Sequence, residues 1–469
     1  MTQFTSTFPP FHQTTHFSNP TMNKNQIPVV ISPCSEFPTP NNPLLHFNNA
    51  NCMEQLLIHC ANAIESNNAT LAQQILWVLN NTTPSDDNSN QRLAGSFIRA
   101  LTLRAAKSCS CNIPEAVTQT ANSYNYHHNL AIQTHEFSVI ELANFIDLTP
   151  WHRFGYTAAN SAILEATKGF TVIHIVDLSL THCMQIPTLI DAIANHYEVP
   201  PLIKLTVAVN NCRNKNINHI PIPPMLDLSY DELGSKLVNF AKTRSVIMEF
   251  KAVSSTYSDG FASLIEHLRV QVQHYNKSHE ALVINCHMML HYIPEETLST
   301  INDTNSNMNL NLNSCSSLRS MFLEAVRMLD PTIVVLVDED ADLTSSGLVS
   351  RLKSAFNYLW IPFDTVDIFL PRGSKQRQWY ETGICWKVEN VIAYEGIQRV
   401  ERVEPKNKWK QRMRNAHFQG VCFSEDSVLE VKGMLDEHAV GWGLKKEDDF
   451  LVLTWKGHNV IFASVWLPS

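Results

Sequence analysis

The chain has 469 residues, of which 44% are hydrophobic and only 17% charged, so it can bury a large core in one domain or two intimate ones. Its 35 basic and 44 acidic residues give a net charge of -9, which excludes a globally basic protein that binds nucleic acid or anionic membranes through overall charge. The 11 cysteines are scattered singly, and neither a secretory signal nor a run of about 20 apolar residues is present. We therefore expect a reduced, intracellular protein whose contacts with DNA are at most local.

The first 50 residues are predicted to be a flexible tail, because they are rich in Pro, Asn, Thr, Phe and His and contain only Lys24 and Glu36 as charges. Apolar residues then recur at helical spacing, which predicts a helical cap over residues 51–150. The first apolar stripe is interpreted either as core or as a candidate partner face. It consists of Leu56, Leu57, Cys60, Ala61 and Ile64.

From Val172 onward, short apolar runs alternate with helical stretches, which is typical of a parallel sheet with helices on both faces. Residues 151–469 are therefore predicted to form an α/β core. Near the C-terminus, "VENVIAY" is predicted to be a strand, and "FLVLTW" and "VIFASVW" an antiparallel hairpin about Gly457 and His458. A mostly parallel, Rossmann-type sheet that closes on an antiparallel hairpin resembles the class I methyltransferase fold.

The turn after the first predicted strand lacks the features of a cofactor site. Methyltransferases place glycines there so that the cofactor can lie against the backbone, but no glycine occurs between Gly169 and Gly234. The next strand ends in Asn210 and Asn211 rather than in an acid for the ribose hydroxyls. Asp177 is therefore predicted to be structural, capping the following helix or bonding loop amides, and no cofactor is expected.

Several blocks resemble the plant GRAS family, in the family's order. Residues 173–177, "IHIVD", resemble its VHIID motif; they are Ile173, His174, Ile175, Val176 and Asp177. "LLIHCANAI" and "LVINCHMMLHYIPEE" resemble the two leucine-rich regions, "FLPRGSKQRQWYE" and "NVIAYEGIQRVERVEPKNKWKQRMRNAHF" the PFYRE region, and "VGWGLKKEDDFLVLTWKGHNVIFASVW" the SAW region. The resemblance covers residues 52–469 as one GRAS domain and is greatest to the scarecrow-like branch.

This resemblance implies a helical cap on a methyltransferase-like core, a nuclear role in transcription, and dimerisation or partner binding. The chain departs from the family at three places: "THCMQIP" follows the motif aspartate, Trp386 and Lys387 replace an Arg-Glu pair, and SAW is spelled Ser464, Val465, Trp466. In the SAW-like region, three tryptophans are expected to be structural, namely Trp442, Trp455 and Trp466.

A run near residue 400 is the strongest local basic feature, and it could dock phosphates or be a solvated helix with internal ion pairs. Arg372, Lys375 and Arg377 could extend it. The candidate DNA-contacting residues are Arg399, Arg402, Lys408, Lys410 and Arg412.

Other sites have weaker support. Cys109 and Cys111 with His127 and His128 lack a second cysteine pair at zinc-ligand spacing, so no metal is expected. The G-x-S-x-G sequence that marks many hydrolases does not occur in the chain. Met288, Met289 and Leu290 are expected to be buried at the end of a strand.

Two functions of different class remain. The preferred one is a nuclear, non-enzymatic regulator of transcription that binds other transcription factors or a second GRAS-type chain, and DNA in addition. The alternative is a small-molecule-binding or methyl-transferring protein with a degenerate cofactor site.

Overall fold

The computed structural model describes residues 50–82, 88–108, 135–209, 222–273, 275, 278–295, 317–438 and 440–469. The predicted N-terminal tail lies outside these ranges except for Ala50, as do Asn210 and Asn211. The cysteine and histidine positions considered for zinc also lie outside them, namely Cys109, Cys111, His127 and His128.

The helices form where apolar periodicity and capping side chains coincide. Ser138 and Ser229 begin helices with reciprocal capping boxes to Glu141 and Glu232, and Thr149 caps a helix that starts at Pro150. The helices are α1 Ala50–Glu65, α2 Ala69–Thr82, α3 Ser89–Ser108, α4 Val139–Asp147, α5 Pro150–Ala166, α6 Ile186–His196, α7 Tyr230–Thr243, α8 Ala262–Val272, α9 Leu318–Met328, α10 Leu348–Phe369, α11 Lys375–Ala393, α12 Lys406–Asn415 and α13 Glu425–Asp436.

The central strands of the sheet are almost fully buried, as expected when helices cover both faces, whereas its outer strands are partly exposed. Two short strands, β1 Glu136–Phe137 and β4 Met225–Leu226, pair separately. The sheet strands are β2 Val172–Ser179, β3 Leu202–Val209, β5 Met248–Ser254, β6 Glu280–His287, β7 Ile333–Glu339, β8 Phe418–Val421, β9 Trp442–Glu447, β10 Phe450–Trp455 and β11 His458–Pro468.

The strand order places a binding crevice at one end of the sheet. The order is β5-β3-β2-β6-β7-β11-β10-β9, with β8 also paired to β11. The first five strands are parallel, and β11, β10 and β9 continue the sheet in antiparallel fashion. From β2 the chain continues on one side to β3 and β5, and then on the other side to β6 and β7, so the strand order reverses between β2 and β6. In α/β proteins, ligands bind in the crevice outside the carboxyl ends of such strands. The predicted fold class is thereby confirmed.

Two helices from the C-terminal half pack against the predicted helical cap. Helix α3 packs on α1 and α2, but also on α10 and α11. The reason lies in α3 itself, which buries residues around most of its circumference, including Leu93, Phe97, Ile98 and Leu101, and so needs neighbours on several sides. Helices α10 and α11 therefore cover the cap from beyond residue 150, and the division of the chain at that residue stays a prediction.

The segment "VENVIAY" is helical, contrary to the strand prediction. Its residues up to Ala393 form the end of α11, where Val388, Val391 and Ile392 are buried against the cap. Asn390 fixes the chain that follows, because its side chain accepts hydrogen bonds from the backbone amides of Val400 and Glu401. A short apolar run does not by itself distinguish a buried helix from a strand.

The C-terminal hairpin is present, and its tryptophans differ in burial. Trp455 and Trp466 are fully buried, whereas Trp442, on the outer strand β9, is half-buried. The Trp442 ring packs on the Trp455 ring, with ring centroids 4.8 Å apart. The Trp455 Nε1 donates to Asp364 at 2.7 Å, and the Trp466 Nε1 donates to Ser464 Oγ at 2.9 Å. The two buried indoles therefore combine apolar packing with a satisfied polar atom.

We expect Trp466→Ala to lower the free energy of unfolding by about 3–5 kcal/mol, because it empties a fully enclosed site in the sheet. The measurement is urea denaturation followed by circular dichroism. Trp77→Ala is the matched control, because that indole is 61% exposed and its loss should change stability by less than about 0.5 kcal/mol. Equal losses in the two variants would contradict a structural role for Trp466.

Candidate functional site

Asp177 ends β2 inside a buried hydrogen-bond network. Its carboxylate accepts from Ser179 Oγ at 2.6 Å and from Asn285 Nδ2 at 2.7 Å. Asn285 also donates to Gln185, and Ser179 Oγ accepts from the amide of Cys183. Burial raises the pKa of Asp177. The carboxylate therefore joins two neighbouring strands to the start of α6, rather than capping that helix or bonding loop amides directly.

The other residues of the motif are part of the sheet. Ile173, Ile175 and Val176 are fully buried on the two faces of β2. His174 is also buried, contacts Thr206 Oγ1 through Nε2 at 2.8 Å, and has its pKa lowered to about 4 by burial. The motif thus supplies packing and one neutral imidazole to the centre of the sheet.

The turn after β2 has the backbone of a glycine turn but is filled by side chains. His182 and Cys183 adopt positive φ values of 51° and 62°, a region that favours glycine. The His182 ring is fixed at 2.8 Å from both the Tyr230 hydroxyl and the carbonyl oxygen of Pro224. The thiol of Cys183 is buried beside Asp177. A nucleotide cofactor does not fit against this turn.

A buried network of charges lies further along the same edge of the sheet. Lys387 of α11 makes ion pairs with Glu339, at the end of β7, and with Glu401 at 3.3 Å. His291 lies between Asp338, 2.7 Å from its Nδ1, and Glu401, 3.5 Å from its Nε2. We call these five residues the Lys387 network. It contains three carboxyl groups and two basic groups.

The Lys387 network changes the proton affinity of its members. Burial alone would lower the pKa of His291, but the carboxylates of Asp338 and Glu401 raise it to about 9. Burial alone would raise the pKa of Glu401, but Lys387 and His291 hold it at about 2. The pKa of Glu339 is raised by burial and by the nearby charge of Glu401. His291 is therefore a cation at neutral pH.

A cavity of about 420 Å³ opens next to the Lys387 network, outside the carboxyl ends of β2, β6 and β7. Its lining includes Leu180, Met288 and Glu339 from the sheet side and Trp379 and Lys387 from α11. The volume is within the usual range of about 300–1,000 Å³ for small-molecule sites. The expected burial of Met288 and Leu290 is confirmed, with Met288 forming part of the cavity wall.

The candidate DNA-contacting residues do not form a free phosphate site. Arg399 and Arg402 are buried, and they donate to the carbonyl oxygens of Ser345 and Gly396. Three cations of α12 are paired with carboxylates, mostly from loops elsewhere in the fold. These pairs are Lys408–Asp342 at 2.9 Å, Lys410–Asp449 at 3.0 Å, and Arg412 with Glu404 and Glu295 at 2.7 Å each. Arg377, considered as an extension, is buried in ion pairs with Asp367 and Glu381.

The candidate partner face on α1 is part of the core. Leu57, Cys60 and Ala61 have no exposed surface, Ile64 is 5% exposed, and Leu56 packs against the same cluster. The stripe therefore cannot contact a partner while α1 is docked. The physical reason is that α2, α3 and α10 all pack on this helix.

Sequence reasoning missed most of the Lys387 network. Only Lys387 stood out in the sequence, as a departure from the family pattern. His291 lies in a 3₁₀ turn after β6, and Asp338 and Glu339 end a strand. Acids at the carboxyl ends of neighbouring parallel strands were the available signal.

Metal ligation and membrane spanning are two further functional possibilities. Within the described ranges, no group of three or more His, Cys, Asp or Glu side chains is arranged to hold a metal ion. Over the same part of the chain, no helix is long and apolar enough to cross a membrane.

Fold and site together define an α/β protein with a methyltransferase-like sheet, a helical cap and a filled cofactor turn. The chain belongs to the GRAS domain family, whose model matches residues 53–467. It is 56% identical to Scarecrow-like protein 32 of Arabidopsis thaliana, over 92% of this chain and 98% of that protein. It is 26% identical to Scarecrow-like transcription factor PAT1 of Arabidopsis thaliana, over 87% of this chain and 75% of that protein. The crystal structure of SCL7 from Oryza sativa has the same fold, with a TM-score of 0.64 and 22% identity over 88% of this chain and 99% of that chain.

We expect Asp177→Asn to cost about 1 kcal/mol or less, because the amide keeps one acceptor and removes a buried charge. Asp177→Ala should cost roughly 1–3 kcal/mol more, since it leaves Ser179 and Asn285 without an acceptor. Urea denaturation of both variants checks this order. A neutral effect of Asp177→Ala would show that the network does not stabilise the fold.

The stability of the wild-type protein should depend on the charge of His291. Its folded-state pKa of about 9 exceeds the unfolded value of about 6.5, so the contribution is complete below pH 6.5 and is lost as pH rises through 9. The contribution is on the order of 3 kcal/mol. The stability difference between the wild type and His291→Gln should therefore shrink as pH rises. His59→Gln, on the exposed face of α1, is the control, and a pH-independent difference for His291→Gln would contradict the assignment.

Proposed function

We propose that this chain is a nuclear, non-enzymatic regulator of plant transcription that acts by binding protein partners through its helical cap. The relationship to GRAS proteins, including one named a transcription factor, supports the regulatory role. The turn after β2 is filled by side chains and lacks the glycines of a cofactor cradle, which argues against methyl transfer. The regulatory function is therefore favoured over the methyl-transferring alternative.

The outer face of α2 carries the observation that supports partner binding. Trp77 is 61% exposed, and Leu71 and Val78 on the same helix are also exposed. Leu71 and Val78 are seven residues apart, so they lie on the same side of the helix, and Trp77 lies about 100° further around its exposed surface. A large aromatic side chain exposed to water is typical of an interface anchor. We call Leu71, Trp77 and Val78 the α2 face, and it replaces the buried α1 stripe as the candidate partner surface.

The ion pairs of α12 favour protein contacts over DNA contacts. Phosphate binding there would have to compete with Asp342, Asp449 and Glu404, each already within 3.0 Å of a cation. The net charge of -9 adds no long-range attraction to DNA. Nuclear import is proposed from the family relationship alone. The basic segment of α12 does not support it as a localisation signal, because this segment is folded and most of its cations are paired with carboxylates.

The double variant Trp77→Glu, Val78→Glu should lose partner binding and keep its fold. Both side chains are exposed, so the free energy of unfolding should change by less than about 0.5 kcal/mol per site. The full chain is tested for regulation of a reporter gene in plant cells, and light scattering at several concentrations detects self-association. If the variant loses both reporter regulation and self-association, the partner is a second copy of the chain. If it loses reporter regulation alone, the partner is a different protein.

The control is Lys408→Gln, which removes an exposed cation of the basic run and leaves the α2 face unchanged. It should regulate the reporter normally. If the folded α2-face variant regulates the reporter normally, the α2 face is not the functional surface. If Lys408→Gln fails to regulate the reporter and DNA binding depends steeply on salt, the functional surface lies on α12.

A further inference from the structure

The cavity beside the Lys387 network has a continuous aromatic wall. The Trp379 ring stacks on His135 with centroids 4.5 Å apart and meets Phe137 at 5.2 Å. Phe137 contacts Phe145 at 5.1 Å, and Phe145 contacts Tyr380 at 4.8 Å. All five rings line the cavity. Such a wall contacts a flat or ring-containing apolar body over a large area.

A buried histidine on the cavity wall has a nitrogen without a hydrogen-bond partner. His152 is only 7% exposed and lines the cavity, yet its Nδ1 has no hydrogen bond. Burial lowers the pKa of His152 to about 4, so the ring is neutral and offers one donor and one acceptor nitrogen. A buried polar atom without a partner is costly, and a bound molecule would satisfy it.

The charged floor of the cavity has more carboxyl groups than cations. Glu339, Glu401 and Lys387 all line it. The ammonium of Lys387 is already shared by both carboxylates, and the Glu401 Oε2 has only the longer contacts of 3.3 Å to Lys387 and 3.5 Å to His291. The floor can therefore accept further hydrogen bonds, whereas a second buried anion would find no unshared cation there.

We propose that this cavity binds a compact, largely apolar organic molecule whose head group is a hydrogen-bond donor, a hydroxyl or an ammonium, and that it excludes carboxylates. The aromatic wall holds the apolar body, and the donor contacts the Glu339 and Glu401 side of the floor or His152. This site does not include the α2 face, so the binding of such a molecule is tested separately from partner binding.

Gly383 allows the cavity to be filled without damage to the fold. It lies in α11 on the cavity wall, and a Cβ built on it meets no heavy atom within 4 Å. A leucine there would extend into the cavity and would also raise helix propensity. Gly433 in α13 has the same open surroundings on the exposed surface and lies outside the cavity lining, so it is a matched control.

The test uses three probes with the same ring and different heads, namely naphthylethanol, naphthylethylamine and naphthylacetate. Binding to the full chain is measured by calorimetry and by the shift in melting temperature, since a ligand of the folded state raises it. We expect saturable binding of the alcohol and the amine, and binding of the acetate weaker by about tenfold or more. Gly383→Leu should weaken the alcohol and the amine by about tenfold or more, and Gly433→Leu should leave both unchanged.

Three results would overturn the proposal. Absence of saturable binding by all three probes would show that the cavity is not a site for such molecules. Equal binding by the Gly383→Leu and Gly433→Leu variants would place the probes elsewhere. Tightest binding by the acetate would show that the floor selects anions.

Discussion

A single ammonium group, that of Lys387, joins the helical cap to the sheet. It projects from α11 between Glu339, at the end of β7, and Glu401, in the segment that leads to α12. His291 extends the same contact to the turn after β6. Loss of one partner from a buried set of charges leaves the other uncompensated, at a cost of roughly 3–5 kcal/mol. Together with the apolar core that cap and sheet share, this set therefore fixes their relative position and one side of the cavity between them.

The turn after β2 shows how a cofactor scaffold can lose its cofactor site and keep its backbone. Non-glycine residues in the left-handed region cost about 1–2 kcal/mol each, and His182 and Cys183 both adopt it. The two contacts of the His182 ring and the burial of Cys183 offset that cost. Side-chain contacts thus stabilise a backbone conformation that glycine adopts more readily.

Much of the fold could be predicted from the sequence because β2, β3, β6 and β7 are short apolar runs with helices between them, and their period determines their type. "VENVIAY" was mispredicted because its apolar run is short, and the periodicity of a short apolar run cannot separate a buried helix from a strand. For the basic run and the α1 stripe, the sequence left two interpretations open for a related reason. Composition shows charge and apolarity, but not that Asp342 or α10 comes from far along the chain to cover them.

The two ends of the main strand order, β5 and β9, both carry charges that face away from the core. Glu249 and Lys251 are exposed on β5, and Lys445 and Lys446 are exposed on β9. Charged side chains on an outer strand oppose pairing with a strand of another molecule, which is how many β-rich proteins avoid aggregation. The charges on β5 and β9 therefore oppose the joining of two copies through either of these strands.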